Sequence, residues 1–222
     1  ADGRSFRRMV QRPARQIDRE AIKRVEGAEG VGLRLADMGN TSTFTHGEPF
    51  GGLLKALDQG SIVVFDTETT GFNAADDEIV EIAAVLLLRG QPVARFHEYI
   101  RNSRPVGESE AIHGLSDGYL AARGGQPADV LSRFLKFSHG ALLVGHNVGF
   151  DLRMLRAGCR RCGIAFDTPE TADSLEMARR FIDTDDRTLE ALVKLLEIEF
   201  KPTHRAPDDV NATVALLARL AP

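Results

Sequence analysis

A chain of 222 residues with 28 Lys and Arg against 32 Asp and Glu has a formal net charge of −4 and a 43% apolar share. That composition supports one good-sized core, or a core of roughly 160 residues with a small appendage. It gives no overall basic signature for nucleic-acid binding, and the longest apolar run, residues 82–88, is far too short to span a bilayer.

The Arg-rich N-terminus is not followed by a secretory apolar region, so a cytoplasmic protein is expected. Residues 1–26 hold eight Lys or Arg and four Asp or Glu, leaving −8 on the rest. This basic excess is expected to be a solvated helix face, with a nucleic-acid or partner contact as the alternative. Ile17, Ala21, Ile22, Val25 and Ala28 recur near helical spacing and predict one amphipathic helix over residues 14–28. Residues 38–52, rich in Gly, Thr, Ser and Asn, read as a linker, and Leu53, Leu54 and Leu57 suggest a short helix ending near Gly60. No chemistry is visible in residues 1–57, and the start at Ala1 points to a processed or excised piece of a longer chain.

From Ser61 the pattern sharpens. Ile62-Val63-Val64-Phe65 predicts a buried strand that breaks into Asp66 and Glu68 before Gly71 lets the chain turn. Alternate strand residues share a face, so the two carboxylates sit side by side. A hard divalent cation is the economical answer to their repulsion. Two extended runs over residues 79–88 and 93–100, joined by Arg89-Gly90-Gln91-Pro92, predict an antiparallel meander. Helices are expected over 116–122 and 128–137, a strand over 141–144, a helix over 150–162 and a short extended piece over 171–173. Further helices are expected over 174–182, around Leu189, Leu192, Val193, Leu195 and Leu196, and over 207–220, with Pro207 in the first turn. Together these make an α/β sheet of mixed direction. Cys159 and Cys162 form a lone Cys-Arg-Arg-Cys without enough ligands for structural zinc. Two reduced thiols on a helix are expected there.

Two further constellations carry acidic groups. Gly145-His146-Asn147-Val148-Gly149-Phe150-Asp151 follows a short apolar strand and opens a helix. Asp151 thus falls at a sheet edge, where α/β proteins gather ligands, although an Asp there also suits a plain helix cap. His204 precedes the last helix, and Asp209 lies five residues on, about one turn into it.

Phe65-Asp-Thr-Glu-Thr-Thr-Gly71, His146-Asn-x-x-Phe-Asp151 and His204-x-Ala-x-x-Asp209 resemble the three motifs of the DEDDh 3′–5′ exonucleases, typified by the proofreading epsilon subunit of bacterial DNA polymerase III. Ala111-Ile112-His113-Gly114-Leu115 is similar to the His-Gly element of epsilon-like members, and the likeness covers roughly residues 60–222. The resemblance implies a ribonuclease-H-like mixed five-stranded sheet flanked by helices over residues 58–222; residues 1–57, which it does not cover, are expected to be a partly helical extension. It also implies that Asp66, Glu68, Asp151 and Asp209 hold two Mg²⁺ or Mn²⁺ ions and that His204 is the general base. Asp208 is the neighbouring alternative, but the motif spacing selects Asp209.

By the same resemblance, the main chain at Thr67 and Glu68 meets the terminal sugar, Phe72 lies against the terminal base, and Asn147 and His113 line the strand's path. Each also has a plain structural role open to it: Phe72 packed on the sheet, Asn147 in a turn, His113 as a loop hydrogen-bonder. Phe150 is assigned to core packing. The implied activity releases nucleoside 5′-monophosphates from the 3′ end of single-stranded DNA, with a DNA polymerase subunit as a partner and no membrane. An exoribonuclease of the same fold is the alternative, lowered because oligoribonuclease-like members carry Tyr where His204 stands. The other alternative is an idle polymerase-accessory module that binds nucleic acid, although all five catalytic positions are filled.

Overall fold

Ile62, Val63, Val64 and Phe65 are each at most 1% exposed, and a strand buried on both faces has to be central. The computed structural model, which describes residues 51–167 and 169–220, places it there. β1 (Ser61–Thr69) pairs antiparallel with β2 (Ile79–Leu88) and parallel with β4 (Leu142–Gly145). β3 (Gln91–Tyr99) continues antiparallel from β2, and β5 (Thr171–Asp173) continues parallel from β4. The five strands run in the order β3-β2-β1-β4-β5, the mixed sheet that the sequence predicts.

Helices cover both faces: α1 (Gly51–Gln59), α2 (Glu110–His113), α3 (Asp117–Arg123), α4 (Pro127–Phe137), α5 (Val148–Arg161), α6 (Ser174–Phe181), α7 (Leu189–Leu195) and α8 (Ala206–Leu220). Val63 and Phe65 pack with Leu131 and Phe134 of α4 and with Met154 and Leu155 of α5. On the opposite face, Ile62 and Val64 pack with Leu53 of α1, Met177 of α6, and Val210 and Leu217 of α8. Phe134 is fully buried, its ring 5.4 Å from Phe65 and 5.7 Å from Phe96. Phe134→Ala should therefore lower stability by about 3–5 kcal/mol, read by thermal or urea unfolding.

Several boundaries differ from the sequence pattern for physical reasons. β1 runs on to Thr69, so Asp66 and Glu68 lie within the paired strand rather than beyond it; a register shift falls between Glu68 and Thr69. The expected four-residue turn shrinks to Arg89-Gly90, both at positive φ (50° and 72°), as a tight hairpin requires. Pro92 thereby falls inside β3, an edge strand, where a missing N–H is tolerated. Gly51 and Gly52, read as linker, begin α1. Burial of Leu53, at 2% exposure, outweighs the poor helix propensity of glycine. This packing ties α1 to the sheet, although the pattern boundary at residue 57 places it in the extension. The short α2 was not foreseen; it ends at Gly114, whose φ of 73° lets its N–H reach the Glu110 carbonyl at 2.8 Å.

Cys159 and Cys162 are free thiols, as expected, and burial pushes the Cys159 thiol up to about 11. No helix among the described residues is long and apolar enough to cross a membrane. The helix expected over 14–28, the linker residues before 51 and the basic N-terminal segment lie outside the described residues.

Candidate active site

Alternation along β1 decides where its carboxylates point. Ile62 and Val64 face the core beneath α8, whereas Val63 and Phe65 face the core beneath α5. Asp66 and Glu68 therefore continue the α8 side, and Thr67 continues the α5 side. The first turn of α8 carries Asp208 and Asp209. One carboxylate oxygen each from Asp66, Glu68 and Asp209 lies within 4.8 Å of the others. Asp209 is the one that joins the cluster, while Asp208 accepts the Thr203 hydroxyl at 2.6 Å.

Asp151 approaches from the other face of the sheet. It is 3% exposed, and its Oδ1 accepts the Thr67 N–H at 3.0 Å and the Thr67 hydroxyl at 2.6 Å. Its carboxylate crosses to β1, beyond what a simple helix cap would do. It is not among the three residues that converge within 4.8 Å, yet its charge acts on Asp66 more strongly than that of any other carboxylate. The Thr67 N–H and hydroxyl thus both orient Asp151.

Burial raises the whole acidic set, and repulsion from neighbouring carboxylates adds to it. Asp66 is held well above the usual carboxylate range by burial, then by Asp151, Glu68 and Asp209. Glu68 is pushed up to about 8 by burial, then by Asp209, Glu81 and Asp151, with Arg205 opposing. Burial pushes Asp151 up to about 7 against the hydrogen bonds from Thr67. Asp209 is also raised by burial, against the backbone N–H groups of Thr203 and His204. Oxygen donors only, crowded and incompletely neutralised, fit a divalent cation.

The remaining sequence candidates sit in contrasting environments. His204 is exposed and adopts a left-handed φ of 56° immediately before α8. Phe72 is 81% exposed and so is not packed on the sheet; its ring centroid lies 6.1 Å from that of Phe150. Phe150 does pack at the edge of the core, as expected, and the Arg153 guanidinium lies 6.0 Å from its ring centroid. Asn147 caps α5 in a left-handed conformation (φ 69°), exposed, with its N–H on Asp173 Oδ1 at 2.9 Å. His113 is 3% exposed, and its Nδ1 accepts the Leu115 N–H at 3.0 Å. Its Nε2 is buried without a well-formed hydrogen bond, and burial lowers its pKa, with the backbone of Thr69 opposing.

Glu81 and Arg205 were missed by sequence reasoning. Glu81 stands directly opposite Glu68 in the β1–β2 register and is completely buried. Its carboxylate accepts Arg205 Nε at 3.1 Å and Nη2 at 2.8 Å, the Ala206 N–H at 3.2 Å, and pairs with His97 Nε2 at 2.8 Å. Burial alone would raise Glu81, but the hydrogen bonds from Arg205 and His97 bring it below the usual range. A lone charge inside the apolar run 79–88 was the available signal, since a buried charge demands a partner. That partner lies 124 positions along the chain, beyond any local pattern.

Comparison with known proteins agrees with this geometry. The family model RNase_T, described as exonuclease, matches residues 63–217. A DNA polymerase III subunit epsilon-like protein from Rhodobacter capsulatus is 40% identical over 172 residues, covering 75% of this chain and 24% of its own length. A PolC-type DNA polymerase III from Latilactobacillus sakei is 34% identical over 176 residues, covering 75% of this chain and 12% of its own length. The chain thus spans about a quarter or less of the curated relatives it matches. Exonuclease X, solved in complex with 5′ overhanging duplex DNA, superposes with a TM-score of 0.57 at 26% identity, over 72% of this chain and 90% of that one. Escherichia coli exonuclease I with a dT13 oligonucleotide shares the fold, with a TM-score of 0.65 at 23% identity over 73% of this chain and 41% of that one. With its acidic cluster assembled on a ribonuclease-H-like sheet, the chain belongs to the RNase_T exonuclease family.

Proposed function

We propose that this chain is a divalent-cation-dependent 3′–5′ exonuclease that removes nucleoside 5′-monophosphates from single-stranded DNA. The observation that carries this reading is the convergence of Asp66, Glu68 and Asp209 within 4.8 Å, with Asp151 close behind. Asp66, Glu68, Asp151 and Asp209 would hold Mg²⁺ or Mn²⁺. A bound pair of such ions supplies charge stabilisation for the attacking and leaving oxygens of an in-line displacement. The chain's own residues do the rest. Thr67 orients Asp151, and His204, exposed beside Asp209, takes the proton from the attacking water.

Phe72 offers a sequence-tolerant stacking face for the terminal base, since every base has a π-face. The buried, poorly satisfied Nε2 of His113 and the exposed Asn147 at the start of α5 are the polar groups that a bound strand would meet. The likeness to epsilon-like and PolC-type proteins supports a place beside a DNA polymerase, with residues 1–57 as an extension and 58–222, on which α1 packs, as the nuclease domain.

The test is a 5′-labelled single strand, DNA or RNA, with Mg²⁺, Mn²⁺ or chelator. A ladder shortened from the 3′ end on DNA and blocked by chelator is expected. Faster shortening of RNA would move the assignment to an exoribonuclease, and tight binding without cleavage would leave an accessory module.

A further inference from the structure

Resting on the reading of His204 as the general base, we propose that Glu81 and Arg205 are positioning residues that lock the histidine in its working geometry. The device begins with a conflict in the sheet. Glu68 and Glu81 face each other across β1 and β2, and like charges directly opposite are destabilising. Arg205 resolves it with a two-point grip on Glu81, through Nε at 3.1 Å and Nη2 at 2.8 Å. The same Nη2 donates to the Tyr99 hydroxyl at 2.8 Å, and the guanidinium sits 5.7 Å from the Tyr99 ring centroid. Its planar fork is thus held along its edge and against a ring, a geometry that a lysine cannot reproduce.

The grip fixes the residue next to His204. Glu81 also takes the Ala206 N–H at 3.2 Å, so both residues after the histidine are anchored to β2. On its other side, Thr203 is anchored to α8, its N–H on Asp209 Oδ1 at 3.0 Å and its hydroxyl on Asp208 Oδ2 at 2.6 Å. His204 spans these two anchors at a φ of 56°. A non-glycine residue in that region is strained, and it persists where the surroundings over-determine it. With the backbone held on both sides, the exposed imidazole is aimed beside Asp209. Released from Glu81, the segment can relax toward ordinary backbone angles and carry the ring away from the reacting water.

A double-mutant cycle on single-turnover removal of the 3′ nucleotide tests this, using the full chain with saturating Mn²⁺ and single-stranded DNA. Arg205→Gln should slow the chemical step by about 10²-fold with little change in KM, the scale of a catalytic group misplaced by an ångström or so. Arg205→Lys should recover part of that loss, and Mn²⁺ binding measured by calorimetry should be no weaker in either variant. His204→Ala should be slow by itself, and adding Arg205→Gln to it should cost little more. Glu81→Gln, close in shape to the wild-type side chain, supplies a second break in the same grip should Arg205→Gln not fold.

If the two losses multiply in the double variant, or if Arg205→Gln and Glu81→Gln both turn over at the wild-type rate, the clamp is wrong while the base assignment stands. If His204→Ala keeps the wild-type rate, the base assignment fails and the clamp goes with it.

Discussion

Asp66→Asn is expected to reduce cation-dependent hydrolysis by at least about 10³-fold while leaving the fold intact. The reason lies in the position of this side chain at the centre of the repulsion. Asp151, Glu68 and Asp209 all push Asp66 upward, on top of its burial, so the neutral acid is favoured relative to an isolated aspartate. An asparagine has nearly the shape of that neutral acid and leaves the packing beneath it unchanged. It cannot become an anionic ligand, however, so the site loses a donor that Glu68 and Asp209 cannot replace. The expected signature is a rate near background, an ordinary melting curve in chelator, and much weaker Mn²⁺ binding by calorimetry. Undiminished turnover by this variant would remove Asp66 from the site.

The same residues show what a sequence can disclose. Strand period alone put Asp66 and Glu68 on one face, and the apolar run before them marked β1 as a buried strand. The three motifs then named Asp151, His204 and Asp209, and the structure brings Asp209 to the β1 pair. What stayed hidden depends on contacts between elements. Nothing near Thr67 in the chain announces that its N–H and hydroxyl serve Asp151, 84 positions away. Glu81 is a lone charge in an apolar strand, and its partner Arg205 reaches it from just before α8. Edges were the other weak point: Leu53 made helix of two glycines through burial, and register against β2 carried β1 past its carboxylates. Local pattern supplies the candidate carboxylates, whereas tertiary pairing supplies their orientation.

In chelator the protein should become less stable as pH rises from 6.5 to 8.5, and Mg²⁺ or Mn²⁺ should remove that dependence. A carboxylate whose folded pKa is raised retains its proton in the folded state after the unfolded chain has lost it. Its contribution is therefore complete below the unfolded pKa and disappears as pH climbs through the folded one. For Glu68 that window runs from 4.5 to about 8, and for Asp151 from 3.8 to about 7. His113 and His146, lowered by burial, work in the opposite sense, but their contribution is complete above the ordinary histidine value of 6.5. The acidic cluster therefore dominates the slope above that point. Between pH 6.5 and 8, Glu68 alone accounts for on the order of 2 kcal/mol, a fall of roughly 4–8 °C in melting temperature for a domain of this size. Cations stabilise the ionised cluster and should flatten the curve, and Glu68→Gln should make it shallower without them. A melting temperature constant across that range in chelator, or a slope untouched by cations, would show that these carboxylates do not share the crowded, cation-seeking site described above.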